Sequence, residues 1–371
     1  MLDRRKFLGL LGATGLTFGL AACSSDDTTD ETEDTTEEES EESDESETEE
    51  AEAEEEETEE VEEETEEEAE PVDVRTVALK GPTAMGLVQF MSEADAGNLT
   101  DNNYTFDIVA SSDEVTPLLT AGDVDIAALP ANLAAVLYNG NDAFVRVIAI
   151  NTLGVLYICE LGDEIQTVSD LAGKTIYASG KGSTPEYALN YILEQNGLTV
   201  GTDVTVEWKS EHSECVTAIV EDQTAIAMLP QPFVTTAQMS NENIRVALDL
   251  TEEWDALQEN ADEPSALITG VAVVRSEFAD ENPAAVEAFL EHYAESVDYV
   301  NNNVDEAAAL VGEYDIVTEE VAQTAIPECN IVCITGEDMK EQLSGYLAVL
   351  LEQDEDSVGG ALPGDDFYYG A

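Results

Sequence analysis

Apolar residues first cluster in a short run from Val74 to Leu79, broken by Lys80-Gly81-Pro82, and then recur at helical spacing as Leu87, Val88, Phe90 and Met91. A short apolar run closed by turn residues reads as a strand, and apolar positions three and four apart read as one helix face. "VRTVALKGPTAMGLVQFMSEADAG" therefore predicts strand, loop and helix. The next segment, "YTFDIVASSDEVTPLLTAGDVDIAALPANLAAVLYNG", predicts a strand, Ser111-Ser112, a short helix, a third strand and a further helix. A second unit repeats this order. In "GKTIYASGKGSTPEYALNYILEQNGL" a strand from Lys174 to Ala178 leads through a glycine loop into a helix. Thr184 is the expected N-cap of that helix, Pro185 its first residue and Gly197 its stop. "VTVEWKSEHSECVTAIVEDQTAIAMLPQPFVTTAQ" then predicts strand, Ser210, helix, strand and helix.

The two units share a word at matching places: "DIAALPANL" at 125–133 and "AIAMLPQPF" at 225–233. Ser112 and Pro130 stand 18 positions apart, Ser210 and Pro230 stand 20 apart. Strands alternating with helices imply parallel α/β lobes, and the repeated Leu-Pro makes the halves internally related. Two long β-prone stretches, Phe144–Leu161 and Ser265–Phe278, are placed to leave one sheet and enter the other. Beyond them, Asn282-Pro283 opens a helix whose inner face carries Val286, Phe289, Leu290, Tyr293, Val297 and Val300. Thr335-Gly-Glu-Asp338 reads as a capping box before Met339, Leu343, Tyr346, Leu347 and Leu350.

The first 70 residues have a different pattern. Arg4, Arg5 and Lys6 precede an uncharged apolar stretch from Phe7 to Leu20, which is short for a membrane span and suits the core of an export signal. Arg4-Arg5-x-Phe7-Leu8 resembles a twin-arginine signal, with Asp3 where Ser or Thr is usual. Leu20-Ala21-Ala22-Cys23 resembles the lipobox of bacterial lipoproteins, whose cysteine thiol takes the lipid. Residues 1–22 are thus expected to be a removed leader and Cys23 the lipidated N-terminus, with more than one acyl chain holding the protein on the outer face of the cell membrane. Residues 26–70 hold 30 acidic residues and no basic one. Such a block buries nothing and repels itself, so residues 23–70 are expected to form a disordered tether.

What remains, 71–371, is long enough for two lobes around a large core. It keeps nine basic residues against 53 acidic ones, a net of about −44. That balance argues against nucleic acid or anionic lipid as a partner. Its four cysteines, Cys159, Cys215, Cys329 and Cys333, read first as buried free thiols and next as a Cys329–Cys333 bridge. With two histidines in the chain, His212 and His292, no metal site is expected, and no cofactor motif is present. "ASGKGST" lacks the spacing of a nucleotide phosphate loop.

In open α/β sheets the ligand sits outside the carboxyl ends of the strands, where loops and helix starts meet. This rule selects Thr83, Ala84 and Met85 after the first strand and Gly182, Ser183 and Thr184 after its counterpart. It also selects Pro130 and Asn132, Pro230 and Gln231 at the repeated words, and Thr152 before the crossover. Hydroxyls and free N–H groups at helix starts suit an anion, and Lys80 and Lys181 are scarce positive charges nearby. His212 and Trp208 read as surface and packing residues.

A lipobox, a linker and two α/β units joined by paired crossovers resemble the solute-binding lipoproteins of ABC importers, most closely the nitrate/sulfonate/taurine group. "LKGPTAMG", "GDVDIAALPANLAAVL", "DLAGKTIYASGKGSTPEYALNYIL" and "GGALPGDDFYY" carry the resemblance, which covers nearly all of 71–371. It implies a type II periplasmic-binding-protein fold with two crossover hinge strands: lobe 1 from 71–157 and 268–371, lobe 2 from 158–267. It also implies a monomer that closes on one small solute and delivers it to a permease driven by an ATPase, without catalysis. Some proteins of this fold are enzymes acting on pyrimidine or menaquinone precursors, and a sensor without a transporter is a third reading.

Overall fold

The computed structural model describes residues 70–140, 143–222, 224–259 and 265–371. The expected leader, Cys23 and the acidic linker lie outside the described residues.

The first half builds β1 (Asp73–Leu79), α1 (Pro82–Met85), α2 (Val88–Ala96), β2 (Asn103–Val109), α3 (Ser112–Ala121), β3 (Ile126–Pro130), α4 (Ala131–Gly140) and β4 (Val145–Leu153). The second half builds β5 (Leu156–Leu161), β6 (Thr175–Ser179), α5 (Thr184–Gln195), β7 (Thr205–Lys209), α6 (His212–Glu221), β8 (Ile226–Pro230), α7 (Phe233–Ser240), β9 (Ile244–Asp249) and α8 (Leu250–Gln258). The chain returns through β10 (Ile268–Arg275), α9 (Ser276–Glu281), α10 (Pro283–Asn302), α11 (Val304–Glu313), α12 (Glu319–Ala325), β11 (Ile331–Ile334) and α13 (Gly336–Gln353).

Two sheets result, ordered β11-β4-β10-β3-β1-β2 and β7-β6-β8-β5-β9. In each, a parallel trio (β2-β1-β3 and β7-β6-β8) is continued by an antiparallel strand that adjoins a crossing between the sheets, β10 in the first and β5 in the second. β10 pairs with β3 and sets Gly270 opposite Pro130; β5 pairs with β8 and sets Leu156 opposite Pro230. The repeat read from the sequence is therefore a repeat of topology, and both Leu-Pro words close the third strand of a trio.

Burial explains the elements. Phe90 on α2 packs at 5.3 Å (ring centroids) from Phe289 on α10, with Val74, Ala78, Ile148 and Val274 of the first sheet in the same cluster. All the predicted inner positions of α10 and α13 are buried except Leu290, which is half-buried. On α13, Tyr346 lies 5.5 Å from Trp254 of α8, so the C-terminal helix joins both halves. Each lobe also contains one buried acid that arginines hold. Asp125 accepts from the Arg75 backbone N–H at 3.1 Å, from its guanidinium at 2.7 and 2.8 Å and from Arg275 at 3.0 Å, tying β1, β3 and β10 together. Glu160 on β5 is held by Arg245 on β9, which also donates to the Gly162 carbonyl at 2.8 Å.

Three local expectations change. The first predicted helix is two, α1 and α2, because Gly86 and Leu87 turn the chain between them. Ser183, not Thr184, is the N-cap of α5, so Thr184 and Pro185 fill its first two positions. Thr335 does cap α13 in position, but its side chain makes no capping hydrogen bond. The long stretch Phe144–Leu161 is also divided, into β4 and β5, at Gly154-Val155. Gly154 is required there, since a Cβ would stand 2.2 Å from the Thr251 hydroxyl of α8. Asn330 anchors the same point from the returning segment just before β11, its side chain donating to the Gly154 carbonyl and its backbone carbonyl accepting from the Leu153 N–H at 3.2 Å. All four mature cysteines are free thiols; Cys159, Cys215 and Cys329 are buried.

Candidate functional site

The carboxyl ends of both parallel trios open onto one cleft of about 100 Å³. For scale, a closed cavity of about 150 Å³ accommodates benzene; this cleft is open on one side to solvent. Its walls come from every strand end the sheets bring there: Lys80, Pro82 and Thr83 after β1, Ala110 to Ser112 after β2, and Pro130 after β3. Facing them are Ser179, Gly180 and Ser183 after β6, Ser210 to His212 after β7, and Pro230 and Phe233 after β8. Thr152, Val155, Leu156 and Thr269 line the side where the chain crosses between sheets.

The residues singled out in the sequence divide accordingly. Thr83, Pro130, Thr152, Ser183 and Pro230 line the cleft. Ala84 and Met85 do not; they are fully buried in the core beneath α1. Gly182 is exposed beside the cleft and gives its N–H to Glu186 at 2.6 Å. Asn132, Thr184 and Gln231 are buried and spend their polar groups inside the protein. Asn132 donates to the Ser357 carbonyl at 3.0 Å and accepts from the Thr184 hydroxyl at 3.4 Å, forming a polar joint between α4 and α5. Gln231 instead turns back to its own helix, accepting from the Thr235 hydroxyl at 2.9 Å.

The loops after β2 and β7 were missed as walls. The same strand-end rule that selected the loops after β1, β3, β6 and β8 selects these two as well, and the serines Ser111, Ser112 and Ser210 were already visible there. His212 was read as a surface residue. It is half-buried at the start of α6, its Nδ1 hydrogen-bonded to the Ser179 hydroxyl at 2.5 Å and its ring 5.0 Å from that of Phe233. Burial pushes its pKa down from 6.5 to about 4, so the ring is neutral at ordinary pH. The fixed Nδ1 leaves Nε2 as the other hydrogen-bonding atom.

Several hydroxyls are committed to the backbone: Thr83 donates to the Leu79 carbonyl at 2.7 Å and Ser183 to the Gly180 carbonyl at 2.8 Å. What these two hydroxyls keep is their lone pairs, which accept but do not donate. Thr269 Oγ1 and, behind the wall, Asn151 Nδ2 are buried without a hydrogen-bond partner among the described residues. Gly270 lies between them and Thr83; a Cβ there would stand 2.5 Å from Asn151 Oδ1 and 2.7 Å from Thr83 Cγ2. Side chain and backbone thus meet closely at the point where the return strand enters the cleft. Among the described residues no group of three His, Cys, Asp or Glu side chains could hold a metal ion, and no helix is long and apolar enough to cross a membrane.

Two α/β lobes, exchanged crossover strands and a polar cleft between the strand ends define a substrate-binding protein of the periplasmic-binding-protein class. The chain belongs to the ABC transporter phosphonate periplasmic substrate-binding family, which matches residues 98–316, more than half of its length. Solved structures agree on the fold. An ABC transporter protein from Parabacteroides distasonis superimposes with a TM-score of 0.65 at 20% identity, covering 80% of this chain and 98% of that one. The alkanesulfonate-binding protein SsuA from Xanthomonas axonopodis pv. citri, bound to MOPS, gives 0.62 at 14% identity over 80% and 96%. The aliphatic sulphonate binding protein SsuA from Escherichia coli gives 0.61 at 15% identity over 76% and 88%. No curated protein matches the sequence. The family and these neighbours are substrate-binding proteins, not enzymes.

Proposed function

We propose that this protein captures a small solute with an oxyanion head group, a sulfonate or phosphonate, between its two lobes outside the cytoplasm. It releases the solute unchanged to an ABC permease. The observation that carries this reading is the cleft: Ser112, Ser210 and Thr269, whose hydroxyls donate to no protein acceptor among the described residues, line a space of about 100 Å³ together with Lys80. A head group rich in acceptors matches these uncommitted donors, and buried Thr269 Oγ1 has no hydrogen-bond partner among the described residues. Pro130 and Pro230 shape the walls, and the two crossings at Gly154 and Leu267–Ile268 are where the lobes hinge. In this reading lobe 1 comprises 71–157 and 268–371 and lobe 2 comprises 158–267. In the same reading Cys23 carries the lipid and the acidic segment to residue 70 holds a monomeric binding domain off the membrane.

The test is a thermal-shift screen of the soluble domain with methanesulfonate, methylphosphonate, nitrate, amino acids and heteroaromatic acids. A true ligand at about 100 times its Kd stabilises by about 2.7 kcal/mol, several degrees for a protein of this size. A screen in which neither methanesulfonate nor methylphosphonate raises the melting temperature excludes the oxyanion assignment.

A further inference from the structure

Helix starts ordinarily attract anions through unpaired N–H groups and the helix dipole. Just outside this cleft's lining the chain answers N–H groups at and immediately before three helix starts with its own carboxylates. Glu114 accepts from the N–H groups of Ala110 and Ser111 at 3.3 and 3.2 Å, beside α3. Glu214 accepts from Ser210 and Glu211 at 2.8 and 3.2 Å, beside α6, and Glu186 accepts from Gly182 at 2.6 Å, beside α5. Glu211, the N-cap of α6, goes further and lines the cleft itself. Against these stands one cationic side chain among the described lining residues, Lys80, at the end of β1. Lys80 also lines a second crevice, opposite Ser213, Val216 and Phe233 and beside Asp315, so it stands at the junction of the lobes.

Building on the oxyanion reading, we propose that the cleft selects the charge state of its ligand: Lys80 and Glu211, with Glu114, Glu186 and Glu214 at the helix starts, admit a monoanionic head group and reject the dianion. One ammonium balances one negative charge. A second negative charge on the head group would meet Glu211 in the lining and add to the charge of the three carboxylates outside it, and like charges disfavour ionisation. The selected class is a sulfonate or a singly ionised phosphonate.

The two head groups separate the idea cleanly, because a sulfonate keeps one charge while a phosphonate, like a phosphate monoester with its second pKa of about 6, gains a second near neutrality. The charged and titratable groups around the head group are Lys80 on β1, Asp113 and Glu114 on α3, Lys181 and Glu186 by α5, Glu211, His212, Glu214 and Cys215 on α6, and Asp315 after α11. His212 stays neutral above about pH 4 and the buried Cys215 thiol is pushed up to about 12, so neither changes charge between about pH 6 and pH 9. Any remaining titration of the protein acts on both ligands and is read from the sulfonate.

The experiment is isothermal titration of the binding domain with methanesulfonate and with methylphosphonate at about pH 6 and about pH 9, repeated for Glu211→Gln, Lys80→Met and Lys80→Arg. Methanesulfonate should bind equally at both pH values, whereas methylphosphonate should weaken by about tenfold or more at the higher one. Glu211→Gln should recover much of that loss, Lys80→Met should weaken methanesulfonate by about tenfold, and Lys80→Arg should retain it. Methylphosphonate affinity that holds or rises with pH overturns charge selection without any variant. Unchanged ratios in Glu211→Gln remove Glu211 from it, and unchanged sulfonate affinity in Lys80→Met removes Lys80. A wild-type protein that binds neither probe at either pH overturns the oxyanion reading together with the proposal.

Discussion

The turn after β3 and the turn after β8 occupy equivalent places in the two sheets, follow the same Leu-Pro word and each bring a proline to the cleft. Their amides nevertheless do different work. Asn132 reaches out of its own lobe to Thr184 and, within it, to the distant carbonyl of Ser357, whereas Gln231 closes on Thr235 one helical turn away. The backbone repeat was kept and the side chains diverged: the first half carries the joint, the second half only stabilises its own helix. A repeat therefore predicts where a residue stands, while its partners depend on what the other half and the tail bring to that place.

The comparison extends to the buried acids. Asp125 is gripped by two arginines and Glu160 by one, so the larger effect is expected in the first lobe. Asp125→Ala leaves Arg75 and Arg275 without their buried partner and should cost about 3 kcal/mol or more, against a smaller loss for Glu160→Gln, as measured by urea unfolding. Burial raises the Asp125 pKa, but the hydrogen bonds from Arg75 and Arg275 outweigh it and hold it below the usual carboxylate range. Its contribution is accordingly complete above the unfolded value near 3.9 and is lost as pH falls through the lower folded value, so Asp125→Asn should flatten the acid limb of the stability curve.

His212, in the second lobe, acts in the same direction but from burial instead of ion pairing and in a higher pH window. Its folded pKa of about 4 lies below 6.5, so the unfolded chain takes up a proton that the folded chain refuses. Stability should fall as pH drops from about 6.5 to about 4, by at most about 3 kcal/mol and by less because the ring edge meets the cleft. The decline should be absent in His212→Gln, and the imidazole proton shifts in NMR should titrate near 4. A midpoint near 6.5 would show that the ring is solvated. The smallest effects sharpen the opening contrast: Asn132→Ala should cost about 1–3 kcal/mol, since it strands the Ser357 carbonyl, and Gln231→Ala about 1 kcal/mol or less. Equal losses would remove the distinction between joint and local brace.

Much of this architecture is written in short-range pattern. The period-two and period-3.6 runs locate β1, β3, β6, β8, α10 and α13, and the strand-end rule finds the cleft, because both depend on backbone geometry shared by all α/β units. The direction of Asn132, the depth of Met85 and the donors taken by Glu114, Glu186 and Glu214 are not written there. They depend on contacts such as Asn132 with Ser357, 225 residues apart, that local sequence does not encode. The serines after β2 and β7 are legible by the same rule, which holds for all six strand ends of the two trios.

The exchanged strands also set an order of assembly. Residues 156–249 supply all five strands of the second sheet in one continuous stretch. The first sheet begins at Asp73, yet it must wait for β10 and for β11, which ends at Ile334. At a synthesis rate of about 5–20 residues per second, β4 is made roughly 10–40 s before its outer partner β11. Until then β3 and β4 present open edges, the state most prone to pairing with other chains. The later-starting sheet can thus be finished first, and the earlier one is closed by its own C-terminus.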